Sequence, residues 1–136
     1  MMRRFVFALV VVCLAATAAY AQDPVKVDSK HYKVVFENEK VRVVHVKYGP
    51  KEKSVMHDHP ALTAVFITDA HTKFTYSDGK TEEMQSKAGE SRQMPAIKHN
   101  PENLSDQPME VILVEWKQKP AAAAAPAPAK KAPPKK

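Results

Sequence analysis

Apolar and polar residues alternate along the middle of the chain, and turn-forming residues stand where the alternation breaks. Tyr32 to Phe36 and Val41 to Tyr48 are short β-branched runs. Glu37-Asn38-Glu39-Lys40 separates them, and Asn38 is suited to the left-handed backbone that tight turns often demand. Gly49-Pro50 ends the second run, a charged loop follows, and Pro60 interrupts a strand centred on His57-Asp58-His59. Ala61 to Thr68 is nearly continuous in apolar residues, as a strand buried on both faces would be. Asp69-Ala70-His71 makes a corner, Lys73 to Tyr76 alternates, and Asp78-Gly79 supplies a hairpin turn into Thr81 to Gln85. A turn at Lys87 to Glu90 leads to Ser91 to Pro95. The last strand, Met109 to Trp116, sets Val111, Leu113 and Glu115 on one face and Ile112, Val114 and Trp116 on the other. No segment before the tail holds a helical period. Short strands about ten residues apart predict an all-β sandwich or barrel, with no repeat to suggest a propeller. Phe66, Phe74, Tyr76 and Trp116 are expected in its core.

The two ends do not belong to this pattern. Met1-Met2-Arg3-Arg4 is a positive head, Phe5 to Ala19 an apolar run, and Ala19-Tyr20-Ala21 a cleavage site of the A-x-A kind. Residues 1–21 therefore read as a secretory signal peptide, and the run is shorter than the ~20 apolar residues of a spanning helix. That places the mature chain outside the cytoplasm, secreted or periplasmic, with no membrane span. Cys13, the only cysteine, leaves with the signal, so no disulfide is expected. Residues 118–136 form an Ala/Pro/Lys-rich tail, expected to be disordered. Between the ends lie a polar lead-in, 22–31, and a barrel domain, 32–117.

Charge changes the picture only once the ends are set aside. The whole chain carries +6, but Arg3 and Arg4 lie in the head, and six lysines lie at or beyond the last strand. Residues 22–116 keep 13 basic against 15 acidic side chains, a net of −2. No basic nucleic-acid face is expected on the domain. The lysine-rich tail is suited to a spacer or to contact with anionic surfaces.

The chemistry begins at His57 and His59. On a strand, side chains at i and i+2 share a face, so the two imidazoles project together while Asp58 points away. Imidazole pairs of this kind make half of a transition-metal site. An isolated pair is more often structural.

Around that pair the chain resembles the cupins, small double-stranded β-helix (jelly-roll) barrels. Gly49, His57 and His59 match the start of the first cupin motif, with a spacer two residues longer than usual. The motif's glutamate falls on Thr63 or Ala64, so that ligand is missing, and Ala70 stands near the closing glycine. Gly89, Pro95, His99 and Asn103 reproduce the second motif, with one residue fewer between Pro95 and His99 and Ile97 in place of a glycine. The resemblance spans about 32–117. It implies a barrel whose interior brings His57, His59 and His99 together on one divalent transition ion: zinc, iron, manganese, nickel or copper. Three histidines leave an open position for water or a small polar ligand or substrate.

Other residues are weaker candidates. His45 is expected at the core or rim, and His31 and His71 in solvent. Gln93 suits the barrel surface, Asn103 a turn, and Tyr76 a pocket wall. Apart from Asp58, which points away, Glu102 is the acid nearest the histidines in sequence, and Ser54, Ser86 and Ser91 have no visible base beside them. The leading function is an exported metal-binding domain. The alternatives are a metal-dependent dioxygenase, isomerase or lyase of the cupin type, and a metal-free interaction protein acting through its tail. A second copy of the chain is a further candidate partner.

Overall fold

The computed structural model describes residues 22–117. The signal-peptide and tail assignments fall outside them. A short helix, α1 (Pro24–Val27), precedes nine strands: β1 (Tyr32–Glu37), β2 (Val41–Tyr48), β3 (His57–His59), β4 (Leu62–Phe66), β5 (Ala70–Tyr76), β6 (Thr81–Ser86), β7 (Ser91–Met94), β8 (Ile97–Asn103) and β9 (Met109–Trp116). They form a five-stranded sheet, β1-β2-β9-β4-β7, and a four-stranded sheet, β3-β8-β5-β6. All paired strands are antiparallel. The all-β, double-stranded β-helix expectation holds.

The period-2 pattern explains which side chains face inward. Val44, Val46 and Tyr48 of β2, Leu62, Ala64 and Phe66 of β4, and Met109, Val111 and Leu113 of β9 are buried and pack as one core. The inner face of the four-stranded sheet is more polar, with His57, His59, Thr72, His99 and Asn103 all buried. One sheet thus supplies an aliphatic wall and the other a set of imidazoles.

The turns behave as the sequence suggests, with one change of mechanism. Gly79 and Gly89 take positive φ, +83° and +85°, at the β5–β6 and β6–β7 turns. Asn38 does not adopt the left-handed backbone; among the described residues the only non-glycine with positive φ is Lys51. The Asn38 side-chain oxygen instead accepts the Lys40 and Val41 amides at 2.8 and 2.9 Å, capping the turn locally. Asn103 fixes a turn as expected: its amide donates to the Gly49 and Gln107 carbonyls at 2.9 and 2.8 Å, and its oxygen accepts the Ser105 amide.

Several expectations are corrected. The lead-in is not a featureless approach: Asp23 caps α1 through the Val25 amide and binds Arg42 at 2.8 Å. Gln22 and Asp58 exchange two bonds of 2.9 Å, so the lead-in closes over β3. β4 alternates buried and half-buried residues, and Ile67 beyond it is half-exposed, so its outer face is only partly covered. Trp116 is not a core residue: it ends β9 on the outer face, 39% exposed. Tyr76 is half-buried and donates to Glu82 at 2.7 Å rather than lining the interior. At the sheet edge, β1 carries exposed Val34, Val35 and Phe36, and its pairing with β2 slips by one residue between Val34 and Phe36.

Asn103 is fully buried and satisfies three backbone groups. Asn103→Ala should therefore cost about 1–3 kcal/mol, the penalty of leaving such groups unpaired. Urea unfolding measures it. An unchanged midpoint would show that water replaces the side chain without loss.

Candidate metal centre

His57 and His59 sit on β3 two residues apart, and His99 lies directly opposite His57 on β8. The three rings form a compact triangle, with centroids 4.8 Å apart for His57–His59, 5.1 Å for His57–His99 and 5.4 Å for His59–His99. One nitrogen from each lies within 4.8 Å of the others. The sequence pointed to strands meeting across the barrel interior. Instead the rings come from neighbouring strands of one sheet, where directly opposed residues have Cβ atoms ~5 Å apart.

The proton positions follow from what each ring faces. His57 Nδ1 lies 2.8 Å from the Val55 carbonyl, which only accepts, so Nδ1 carries the proton. His59 Nδ1 lies 2.6 Å from Glu115 Oε1 and donates to that carboxylate. Each ring is thereby left with its lone pair on Nε2, and those two Nε2 atoms face each other at 3.0 Å. Two lone pairs at that distance repel unless a cation lies between them. Nitrogens each ~2.1 Å from one ion would stand roughly 3.0–3.4 Å apart, which matches. His99 adds to the case: neither ring nitrogen has a hydrogen-bond partner although the residue is buried. The described residues fit a metal on these three observations.

A proton is a poor substitute for that cation. Burial, then the neighbouring His59, hold His57 down to about 4, and burial with the other two imidazoles holds His99 down to about 3. The neutral rings that metals need are the favoured form here.

Glu115 is the functional residue that the sequence reading missed. It belongs to β9, across the interior from β3, and is 1% exposed. Its second oxygen accepts Arg42 Nε at 2.6 Å, and Arg42 binds Asp23 in turn. Burial works to raise the Glu115 carboxyl, but the bonds from His59 and Arg42 prevail and hold it below its ordinary range. Its placement on the Val111–Leu113 face was readable; its proximity to His59 was not. Glu102, the acid nearest in sequence, instead pairs with Lys73 at 3.1 Å.

The remaining candidates fall elsewhere. His31 is buried, against expectation: its ring stacks on Tyr48 at 4.3 Å and bridges Asp28 and Glu52 at 2.7 and 3.0 Å. His45 is half-buried and meets Glu110 at 2.9 Å, and His71 meets Glu83 at the same distance. Gln93 is exposed. Ser54, thought remote from any base, lies 3.4 Å from His57 Nδ1 and donates to Asp28. Ala64, at the missing-glutamate position, is buried on β4.

Two outcomes follow. Glu115→Gln should weaken metal binding about 10–100-fold, the usual loss for a carboxylate orienting a ligating histidine; dialysis against a zinc buffer reads it, and unchanged affinity would leave Glu115 a purely structural ion pair. For the metal-free protein, folded pKa values of about 4 and about 3 lie below the unfolded ~6.5. The unfolded state then takes up protons first, so stability is full above pH ~6.5 and falls as pH drops toward 4 and 3. Thermal melts should show that decline, reduced in His99→Gln.

No family model matches the chain, and no curated protein matches it either. Solved structures do. A cupin domain from Bordetella pertussis Tohama I is 25% identical with a TM-score of 0.60, over 64% of this chain and 92% of that one. An RmlC-like cupin with a double-stranded β-helix fold from Methanocaldococcus jannaschii is 17% identical with a TM-score of 0.52, over 62% and 77%. A double-stranded β-helix protein from Klebsiella pneumoniae is 23% identical with a TM-score of 0.50, over 61% and 72%. By its paired antiparallel sheets and by these likenesses, the described part of the chain has the double-stranded β-helix fold of the cupins.

Proposed function

We propose that the barrel binds one divalent transition ion through His57, His59 and His99 and keeps an open position for a small ligand. The observation that carries this reading is the 3.0 Å approach of two Nε2 lone pairs whose opposite nitrogens are both committed as donors. The buried, unpartnered nitrogens of His99 support it. Bound there, the ion would act as a Lewis acid toward whatever fills the remaining position. The chain's own part is to hold three neutral imidazoles, to fix the His59 tautomer through Glu115, and to keep water from the aliphatic side. A dioxygenase, isomerase or lyase would also need a group that moves protons. Among the described residues the carboxylate touching the triad, Glu115, is engaged by both His59 and Arg42, and this favours a binding role.

The domain is further proposed to act outside the cytoplasm, on the strength of the charged head, apolar run and Ala19-Tyr20-Ala21 site. Intact-mass measurement of exported protein should begin at Gln22, and a retained N-terminus would overturn that placement.

Metal content of untagged protein tests the central claim. Wild type should hold about one ion per chain, and His57→Ala, His59→Ala and His99→Ala should each lose most of it, while His71→Ala should not. Equal content in wild type and the triple variant would end the reading. Occupancy should persist below pH ~6.5 and fall as pH nears about 4, because burial weakens the competing proton.

A further inference from the structure

His59 and His99 form part of the wall of a cavity of about 50 Å³ inside the barrel. The rest of that wall is aliphatic, aromatic or thioether, including Leu62, Phe66, Phe74, Met84 and Met94. Among the described residues, no Lys, Arg, Asp or Glu lines it. Its other polar atoms are already engaged. The Tyr32 and Tyr48 hydroxyls bond each other at 2.7 Å, and the Thr72 hydroxyl donates to Met109 Sδ at 3.2 Å. The His59 Nδ1 proton belongs to Glu115.

Such a wall discriminates by charge. A carboxylate or phosphate on the body of a ligand, away from the ion, would leave water for a space in which the chain offers no counter-charge, at a cost of several kcal/mol. The chain's nearest fixed charge, Glu115, is itself negative and acts on the site through His59. A polyol would find at most the free His99 N–H for its several hydroxyls. A neutral molecule with an apolar body loses little on entry and gains apolar burial. Size narrows the class further: the volume is about a third of the ~150 Å³ apolar cavity that admits benzene. The open-sided space suits a short alkyl group better than an aromatic ring.

Ala64 is the residue that leaves this room. It faces the cavity from β4, and with Thr63 it is one of the two positions on which the cupin motif's glutamate falls. A glutamate there would fill the chamber and bring a charge into it.

Resting on the metal reading above, we propose that the site selects a ligand that gives the metal one donor atom and carries an uncharged short alkyl body, and that Ala64 sets this selectivity. The test uses the full-length mature protein loaded with cobalt(II) and titrated with two probes, 1-propanethiol and 3-mercaptopropionate. They share the thiol donor and the three-carbon length and differ in the carboxylate. Each thiol binds as thiolate and releases its proton to the buffer; the thiolate-to-cobalt absorption band reads binding, and cobalt per chain after dialysis is measured separately. Propanethiol should bind at least ten-fold tighter. Ala64→Leu should weaken it ten-fold or more with cobalt content unchanged; Ala64→Val, a milder filling suited to a strand, serves if the leucine variant does not fold. Equal or tighter binding of 3-mercaptopropionate, binding of neither thiol to cobalt-loaded protein, or indifference to both Ala64 substitutions would each overturn the proposal. A wild type that takes up no cobalt, or takes it up equally without the three histidines, fails the metal reading itself and is distinguishable from those outcomes.

Discussion

A carboxylate buried to 1% exposure has to be answered by charge or hydrogen bonds, and Glu115 is answered from two sides. His59 meets one oxygen from the four-stranded sheet, and Arg42 meets the other from the neighbouring strand β2. Arg42 in turn holds Asp23, the cap of α1. One polar chain thus runs from the N-terminal segment through the five-stranded sheet to the imidazole cluster. Removing Arg42 would leave the buried Glu115 carboxylate without its counter-charge, at a cost of about 3–5 kcal/mol, and removing Glu115 would loosen the His59 ring. Sheet packing, N-terminal docking and imidazole orientation depend on this one interaction.

The two sheets divide their tasks around it. Aliphatic side chains from β2, β4 and β9 provide the burial that holds the barrel together. The opposite sheet can then carry histidines on its inner face, because their rings pack edge-on against one another and against Tyr32, and tilted against Phe74, rather than facing water. Burial also keeps His57 and His99 neutral, so the packing that stabilises the fold and the protonation state that suits a metal have the same cause.

Much of this was legible from the chain. Alternation located the strands, Asp78-Gly79 and Gly89 located two turns, and the i, i+2 spacing put His57 and His59 on one face. What escaped was cross-chain proximity. Glu115 shares the parity of Val111 and Leu113, and a charged residue at an inward position was the available signal, but periodicity does not say which strand lies opposite. His31 looked solvent-bound because its partners Asp28, Glu52 and Tyr48 are spread over more than twenty residues. The lead-in is held by caps and ion pairs rather than by an apolar period, so no pattern announced it. Trp116 was assigned to the core on size alone; it stands on the outward parity of β9.

The slip in pairing at Val35 has a consequence beyond local geometry. β1 is the outer strand of its sheet and shows three apolar side chains to solvent. A straight edge of that composition would offer a template on which further chains could stack. The extra residue kinks the strand and puts its outward amides out of step, so an incoming strand can match one half of the edge or the other but not both. The irregularity guards the barrel against growing into a fibril.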